Sequence, residues 1–454
     1  MARPRALLIG FQPGFAAELA KTGIDVVCRI GGGKAEPGIG FIDHRDFFRY
    51  GRFDPSAPRV DAGTRARVHA EIYDAFCHCA DRYANTRAML NEFSDRELLL
   101  DKALSQARSV IDEYRPDILV AVNAPHRCAT LALFEYARAS GVKTALCLQS
   151  QFPDRFFIVD HWTDLGIFKS AARGDSVSLP HDPPQQMPFY MKRVDTGRQK
   201  SRRAYLKYME FAGQLLAVPF TGLTKGGLRR SNRTLDGMRE AIQLTRYARN
   251  RRAMPAIARS QIAGDFVYFP LHLQPEMTTA ILGGKWTNQA RALQRLREFV
   301  PDEIPVIVKE NPKQTGLVRS PLFWELAGSL PNVFFVEDEA SSLELIRAAK
   351  LTATVSGTAG WEALRCGRPA LAFGHVFWRR LPGAFHIDDN PKWSDIEAFD
   401  FDNKRFSNAV EELSRYTHSG VSDANYAAIV PSFDPAENAG KVAASIDRHL
   451  GASK

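Results

Sequence analysis

Between Leu351 and Gly374 the chain reads LTATVSGTAGWEALRCGRPALAFG. Small residues, Ser356-Gly357-Thr358-Ala359-Gly360, separate an apolar β-type run from a helix-forming run, Trp361 to Cys366, that stops at Gly367. Such a turn can do chemistry. Glycines let backbone approach a ligand, Ser356 or Thr358 can cap the helix, and the N–H groups at the helix start offer an anion site suited to a phosphate or diphosphate. Glu362, read as lying in the first helical turn, is a carboxylate within reach of a ribose or sugar hydroxyl. The same residues also describe an ordinary βαβ turn with a capping acid, and spacing does not separate the two.

Three other places hold reactive side chains. His126 and Arg127 follow the apolar run Asp117 to Val122, at the carboxyl end of a strand, where open α/β sheets place ligands. His126 there is a base, an acceptor contact, or simply a capping or core histidine. Cys77-His78-Cys79 is the one cluster among six scattered cysteines, and without a second ligand pair at metal spacing it reads as structural, with reduced thiols. Gly31-Gly32-Gly33-Lys34 lacks Walker spacing and reads as a flexible turn.

These residues need elements to hold them. Strands at 5–9 and 24–28 flank a helix from about Gly14 to Lys21, and 63–114 reads as two helices broken between Asn91 and Asp95. A strand 117–122, a helix to about Ser140 and a strand 143–148 follow. From Ser150 to about Gly264 prolines accumulate and the pattern reads as a largely helical insertion and connection. Then the spacing becomes regular: strands at 266–270, 305–309, 333–336, 351–355 and 369–373 alternate with helices at about 286–299, 321–329, 341–350 and 361–366. Ser320-Pro321 is a helix start signal. Alternation of this kind implies a parallel, doubly wound sheet.

At 454 residues two domains are expected. The reading is an α/β protein of two Rossmann-like doubly wound domains facing a cleft. Residues 1–263 form the first, with a helical basic insertion at about 165–252; residues 264–434 form the second, and 435–454 a final helix crossing back. No run approaches a membrane span and the N-terminus does not read as a signal peptide, so a soluble, cytoplasmic protein is expected. The net charge of +9 is concentrated between Lys192 and Arg252, where 16 Lys and Arg face 4 Asp and Glu. That segment suits an anionic membrane face or an anionic glycan, or is a solvated helical face. Sparse aromatic interleaving and the lack of a recognition motif set nucleic acid aside.

The second domain places three polar turns at strand ends: Leu271 to Glu276, Lys309 to Lys313, and Ser356 to Glu362. Together FPLHLQPEMTT, VIVKENPK and SGTAGWEALRCGRPALAFG resemble the capsule polysaccharide biosynthesis protein family, bacterial glycosyltransferases that include the Kdo transferases of capsule assembly. The resemblance covers mainly 265–375, with a weaker echo in RPDILVAVNAPHR. It implies a GT-B-like, metal-independent glycosyltransferase with no cofactor, the nucleotide sugar held by the second domain and a glycan or lipid-linked acceptor by the first. One position departs: the family shows His-Pro where this chain has Asn311-Pro312. An amide can donate to a phosphate oxygen but cannot protonate a leaving phosphate, which tells against Kdo as the sugar.

On that resemblance Ser356, Gly357, Thr358 and Lys309 take the phosphate, with Asn311 as a further donor-site contact. Glu362 and Glu310 take donor hydroxyls. His272, Gln274 and Glu276 line the cleft, with Glu276 or His126 transferring the proton. On the residues alone Glu310 could equally pair with a lysine, and Gln274-Pro275 could only shape a turn. Two rival functions fit the scaffold: a polyol-phosphate transferase or nucleotide-sugar epimerase, and a non-catalytic scaffold of a capsule assembly complex.

Overall fold

The computed structural model describes residues 3–43, 59–82, 93–174, 176–185, 245–274, 276–314 and 319–452, together with 206 and 209. Two seven-stranded sheets organise them. The first runs from β1 (Arg5–Ile9) through β2 (Asp25–Gly31), β3 (Gly40–Asp43), β4 (Ile118–Val122) and β5 (Lys143–Gln149) to β6 (Arg155–Val159). The second takes β7 (Ala256–Ile257), β8 (Val267–Pro270), β9 (Val306–Lys309), β10 (Val333–Val336), β11 (Leu351–Thr354), β12 (Ala370–Ala372) and β13 (Ala384–His386). A last strand, β14 (Thr417–Ser419), rejoins the first sheet, antiparallel to β6.

Spatial order explains where a ligand can go. The second sheet is arranged β13-β12-β11-β8-β9-β10-β7, all parallel: after the short edge strand β7 the chain crosses to the centre at β8, winds one way through β9 and β10, and returns to continue through β11. The reversal leaves a crevice beyond the carboxyl ends of β8 and β11. In the first sheet the reversal falls between β1 and β4. Buried on both faces, these strands are nearly continuous apolar runs, as VYFP and VIVK show. Two Rossmann-like domains therefore face one cleft, as the alternation implies.

Helix boundaries follow local chemistry. Ser320 accepts a hydrogen bond from the Phe323 amide with Pro321 at the first helical position, as its sequence signal indicates. The pair read within 63–114 is Ala62–Arg82 and Phe93–Tyr114. Residues 31–34 form a turn whose carbonyls point inward: the buried Arg29 guanidinium donates to Gly32 O and Lys34 O at 2.9 and 2.5 Å. Carbonyls do not cradle phosphate, so the turn reading holds.

Three features differ from the sequence reading. Arg155–Val159 is an antiparallel strand where only loosened structure was expected. Residues 165–174 and 176–185 are not helical; the second stretch, where Pro180, Pro183 and Pro184 lack an N–H, forms a strap over the second domain, with Val177 N–H donating to Ser414 Oγ and Arg365 to Asp182 O. Residues 245–252 are helical, but most of the expected basic insertion lies outside the described residues. Finally, the chain returns to the first sheet at β14, before the terminal helix Pro435–Ala452, whose Val442, Ala443 and Ile446 then pack beneath that sheet.

The domains share apolar packing behind the cleft. Phe152 of the first lies 5.6 Å from Trp361 and 5.8 Å from Phe377 of the second, both edge to face. Among the described residues no helix is long and apolar enough to cross a membrane, and no group of three His, Cys, Asp or Glu is arranged to hold a metal ion.

Candidate active site

The crevice at β8 and β11 opens into a cleft of about 620 Å³ between the domains. His272 forms its floor. The residue leaves β8 with its backbone clamped: the amide donates to Gln289 Oε1 at 2.7 Å, and the carbonyl accepts from Gln289 Nε2 and Arg319 at 3.1 and 2.8 Å. Its ring Nε2 lies 2.8 Å from Thr354 Oγ1 at the end of β11. Burial, reinforced by the Arg319 guanidinium, pushes this imidazole down to about 4. His272 is therefore neutral at pH 7 and can share a hydrogen bond without carrying charge.

The same Thr354 hydroxyl accepts the Gly357 amide at 3.1 Å, which seats the turn into the helix Thr358–Arg365. A Cβ at Gly357 would sit 2.5 Å from His272 Cε1 and 2.9 Å from Thr354 Oγ1, so only glycine fits. Gly357→Ala should displace the His272 ring and cost about 1–3 kcal/mol by overpacking. Denaturant unfolding checks this, and a loss within 0.5 kcal/mol would count against the close packing. Gly360 has a parallel reason: its Cβ would meet the Trp378 ring at 2.2 Å.

Two expectations about this turn are corrected. Neither Ser356 nor Thr358 caps the helix; Gly357 occupies the N-cap without a side-chain bond, because the His272 ring leaves no room for a side chain there. The helix also begins earlier than expected, which moves Glu362 beyond its first turn. Thr358 Oγ1 donates to Glu362 Oε1 at 3.2 Å. Glu362 is 8% exposed, lines the cleft, and burial raises its carboxyl to about 7 against the opposing pull of Thr358 and Arg365. A carboxyl poised between charge states in a cleft suits proton exchange or hydroxyl binding.

The β9 turn divides into wall and scaffold. Asn311 and Lys313 line the cleft, Asn311 Oδ1 accepting the Lys313 amide at 2.9 Å. Lys309 and Glu310 do not line it. Glu310 is 2% exposed and bound to Arg319 through both carboxylate oxygens, at 3.0 and 3.1 Å. The expected donor-hydroxyl contact is thus an internal ion pair, with arginine in place of the lysine considered. Gln274 is likewise internal: it takes Arg319 on Oε1 at 2.8 Å, gives Nε2 to Thr287 O at 2.6 Å, and exchanges bonds with the buried Gln314. Glu276 does line the cleft. His126 does not; its Nδ1 lies 3.3 Å from Ala124 O, inside its own turn.

The opposite wall comes from the first domain and the returning segment after β14. Asn123, in a left-handed conformation that asparagine tolerates, gives Nδ2 to Asp423 at 3.0 Å and accepts the Gln149 amide at 3.1 Å. Gln149 Oε1 in turn accepts the Ser422 and Asp423 amides, and Gln151 Nε2 donates to Tyr426 Oη at 3.3 Å. Burial raises the Tyr426 phenol, with the Asp423 and Glu276 carboxylates adding. None of Gln149, Gln151, Asp423 or Tyr426 carries a sequence signal of its own.

Comparison with known proteins then bears on the three turns. Residues 230–383 match the family described as capsule polysaccharide biosynthesis protein. All three motif stretches that suggested this family fall inside that span, so the match covers the floor and one wall of the cleft. No curated protein matches the chain. Among solved structures it is similar to the Thermosulfurimonas dismutans KpsC β-Kdo 2,7 transferase, at 12% identity over 69% of this chain and 82% of that one, TM-score 0.32. It is also similar to UDP-GlcNAc 2-epimerase from Methanocaldococcus jannaschii, at 11% identity over 91% and 99%, TM-score 0.26. A third is the glycosyltransferase SnogD from Streptomyces nogalater, at 11% identity over 98% and 99%, TM-score 0.22. Likeness at these levels carries no argument about activity.

Proposed function

We propose that this chain is a glycosyltransferase of the capsule polysaccharide biosynthesis kind, moving a sugar from a nucleotide-sugar donor to a surface or capsular polysaccharide or a lipid-linked glycan. The observation that carries the reading is the crevice between β8 and β11. There a helix start free of side-chain caps, a neutral imidazole and a near-neutral carboxyl meet within one cleft. Phosphate suits the N–H groups at the start of the helix Thr358–Arg365 and the Ser356 hydroxyl, Gly357 serving by letting the backbone come close, with Lys313 replacing Lys309 as the cation. Glu362 takes a donor hydroxyl. The amide-rich wall of Asn123, Gln149, Gln151 and Tyr426 suits a hydroxylated acceptor.

In this reading the acceptor hydroxyl oxygen bonds to the anomeric carbon as the bond to the phosphate oxygen breaks. The nucleotide leaves with the electron pair, and the hydroxyl proton passes to Glu276. Glu276 takes this role because it lines the cleft, whereas His126, turned toward the Ala124 carbonyl, does not. The phosphate charge falls on N–H groups and Lys313, so the mechanism calls for no divalent metal.

A thermal-shift panel of CMP, UDP and GDP with their sugar conjugates tests the reading. One nucleotide series should raise the melting temperature, and no shift with any would overturn it. Mass spectrometry of the products separates transfer, which lengthens the acceptor by one glycosyl residue, from epimerisation, which leaves the donor mass unchanged. The basic stretch 192–252 would bring the enzyme to the anionic inner face of a membrane. Co-sedimentation with anionic vesicles should fall when four arginines between Arg229 and Arg252 become serine, and unchanged binding would sink that part.

A further inference from the structure

Beyond β12 the cleft changes character. Leu165 and Phe157 from the first domain, and Leu282, Val376 and Trp378 from the second, make an apolar arm beside the phosphate turn. One polar side chain stands in it, His375. Its backbone is fixed, the amide donating to Leu282 O at 2.7 Å. Its ring is not. Nδ1 is buried without a hydrogen-bond partner, and among the described residues no side chain or carbonyl bonds Nε2 either. A buried polar nitrogen left unpaired is costly, and this one belongs to a ring that lines the cleft, where an entering polar group could pair with it. Because β12 lies next to β11 in the sheet, His375 stands one strand from the phosphate turn, about where a group attached to that phosphate would extend.

Resting on the glycosyltransferase reading, we propose that His375 contacts the glycosyl group of the donor, hydrogen bonding an uncharged hydroxyl or acetamido group, and so takes part in sugar selection. Nε2 is available directly, and rotation about Cβ–Cγ presents Nδ1. Burial, with His386, His161 and Arg379 adding and Asp388 opposing, holds the imidazole down to about 4. The ring is thus neutral across the physiological range and does not act as counter-ion to a sugar carboxylate.

The test compares sugar-bearing and sugar-free ligands on the full chain by calorimetry, using UDP-glucose with UDP, GDP-mannose with GDP, and CMP-N-acetylneuraminate with CMP. In the pair that binds, His375→Phe should weaken the nucleotide sugar at least tenfold while leaving the free nucleotide within twofold, and His375→Asn should restore part of the loss. Equal weakening of both ligands, or of neither, would overturn the assignment while leaving the donor site standing. If no pair binds the unmodified chain, the glycosyltransferase reading itself fails and this proposal with it. Thermal unfolding of both variants distinguishes lost contact from lost fold: a fall in nucleotide affinity that tracks a fall in melting temperature also counts against it.

Discussion

Replacing Arg319 by methionine should destabilise the protein by about 3–5 kcal/mol, the usual penalty for leaving one partner of a buried ion pair alone. Few residues here bind so many others. Arg319 is 4% exposed, gives both carboxylate oxygens of Glu310 a donor, and bonds Gln274 Oε1 and His272 O at 2.8 Å each. Its guanidinium also stacks 4.7 Å over the Phe323 ring. One side chain thereby ties the turn after β8 to the turn after β9, and the planar fork of arginine is what allows three directions at once. Removal leaves the Glu310 charge buried and the floor of the cleft unclamped.

Three measurements follow. Urea unfolding gives the loss directly, and a value under 1 kcal/mol would show that the pair is not holding the fold. The double variant Glu310→Gln with Arg319→Met should be less destabilised than Arg319→Met alone, since the stranded charge is gone. In a folded Arg319→Met chain, His272 should titrate at higher pH, because a cation that opposes its protonation has been removed. Nuclear magnetic resonance titration of the His272 ring reads that shift, and an unmoved titration would mean that burial alone depresses it.

Arg319 also shows where sequence reading stops. The parallel strands of the second domain were legible because both their faces are buried, which writes them as apolar runs between turn residues. The start at Ser320-Pro321 was legible because capping is decided within four residues. Arg319 sits one position before that signal, yet its partners lie at 272, 274 and 310 and nothing local announces them. β14 is three residues, Thr417-His418-Ser419, whose strand state exists only through pairing with β6. Ser356 and Thr358 are good capping residues by type, but the seat went to Gly357 because the His272 ring fills the space that a side chain would take. The cleft residues were found where a motif supplied them, at His272, Glu276, Asn311, Ser356 to Thr358 and Glu362. They were missed where the chain merely returns to the cleft, at His375 and at Asp423 to Tyr426.

Glu362→Gln should make the protein more stable at pH 8 while abolishing most of its activity, and the opposed signs come from one buried carboxyl. Folded, the group ionises near 7; unfolded, near 4.5. Between those values the folded chain holds a proton that the unfolded chain has released, so native stability falls as pH rises through that window. With roughly 2.5 pH units at 1.36 kcal/mol each, the cost is about 3 kcal/mol above pH 7 and vanishes below about pH 4.5. Glutamine can still accept the Thr358 hydroxyl and has no charge to bury. The variant should therefore match the parent near pH 4.5 and exceed it by about 3 kcal/mol at pH 8, in denaturant unfolding run at both. A nucleotide phosphate arriving beside Glu362 adds negative charge, which raises the carboxyl further, so binding at pH 7 should take up a fraction of a proton. Calorimetry in two buffers of different ionisation enthalpy measures that uptake, which should disappear in Glu362→Gln. With a functional assay, kcat/KM should drop by about 10- to 10²-fold, the scale of a lost hydrogen bond from the donor hydroxyl to a charged acceptor. Identical pH dependence of stability in the two chains would show that the carboxyl is ionised in the folded protein. Proton uptake that persisted in the variant would assign the titration to another group in the cleft.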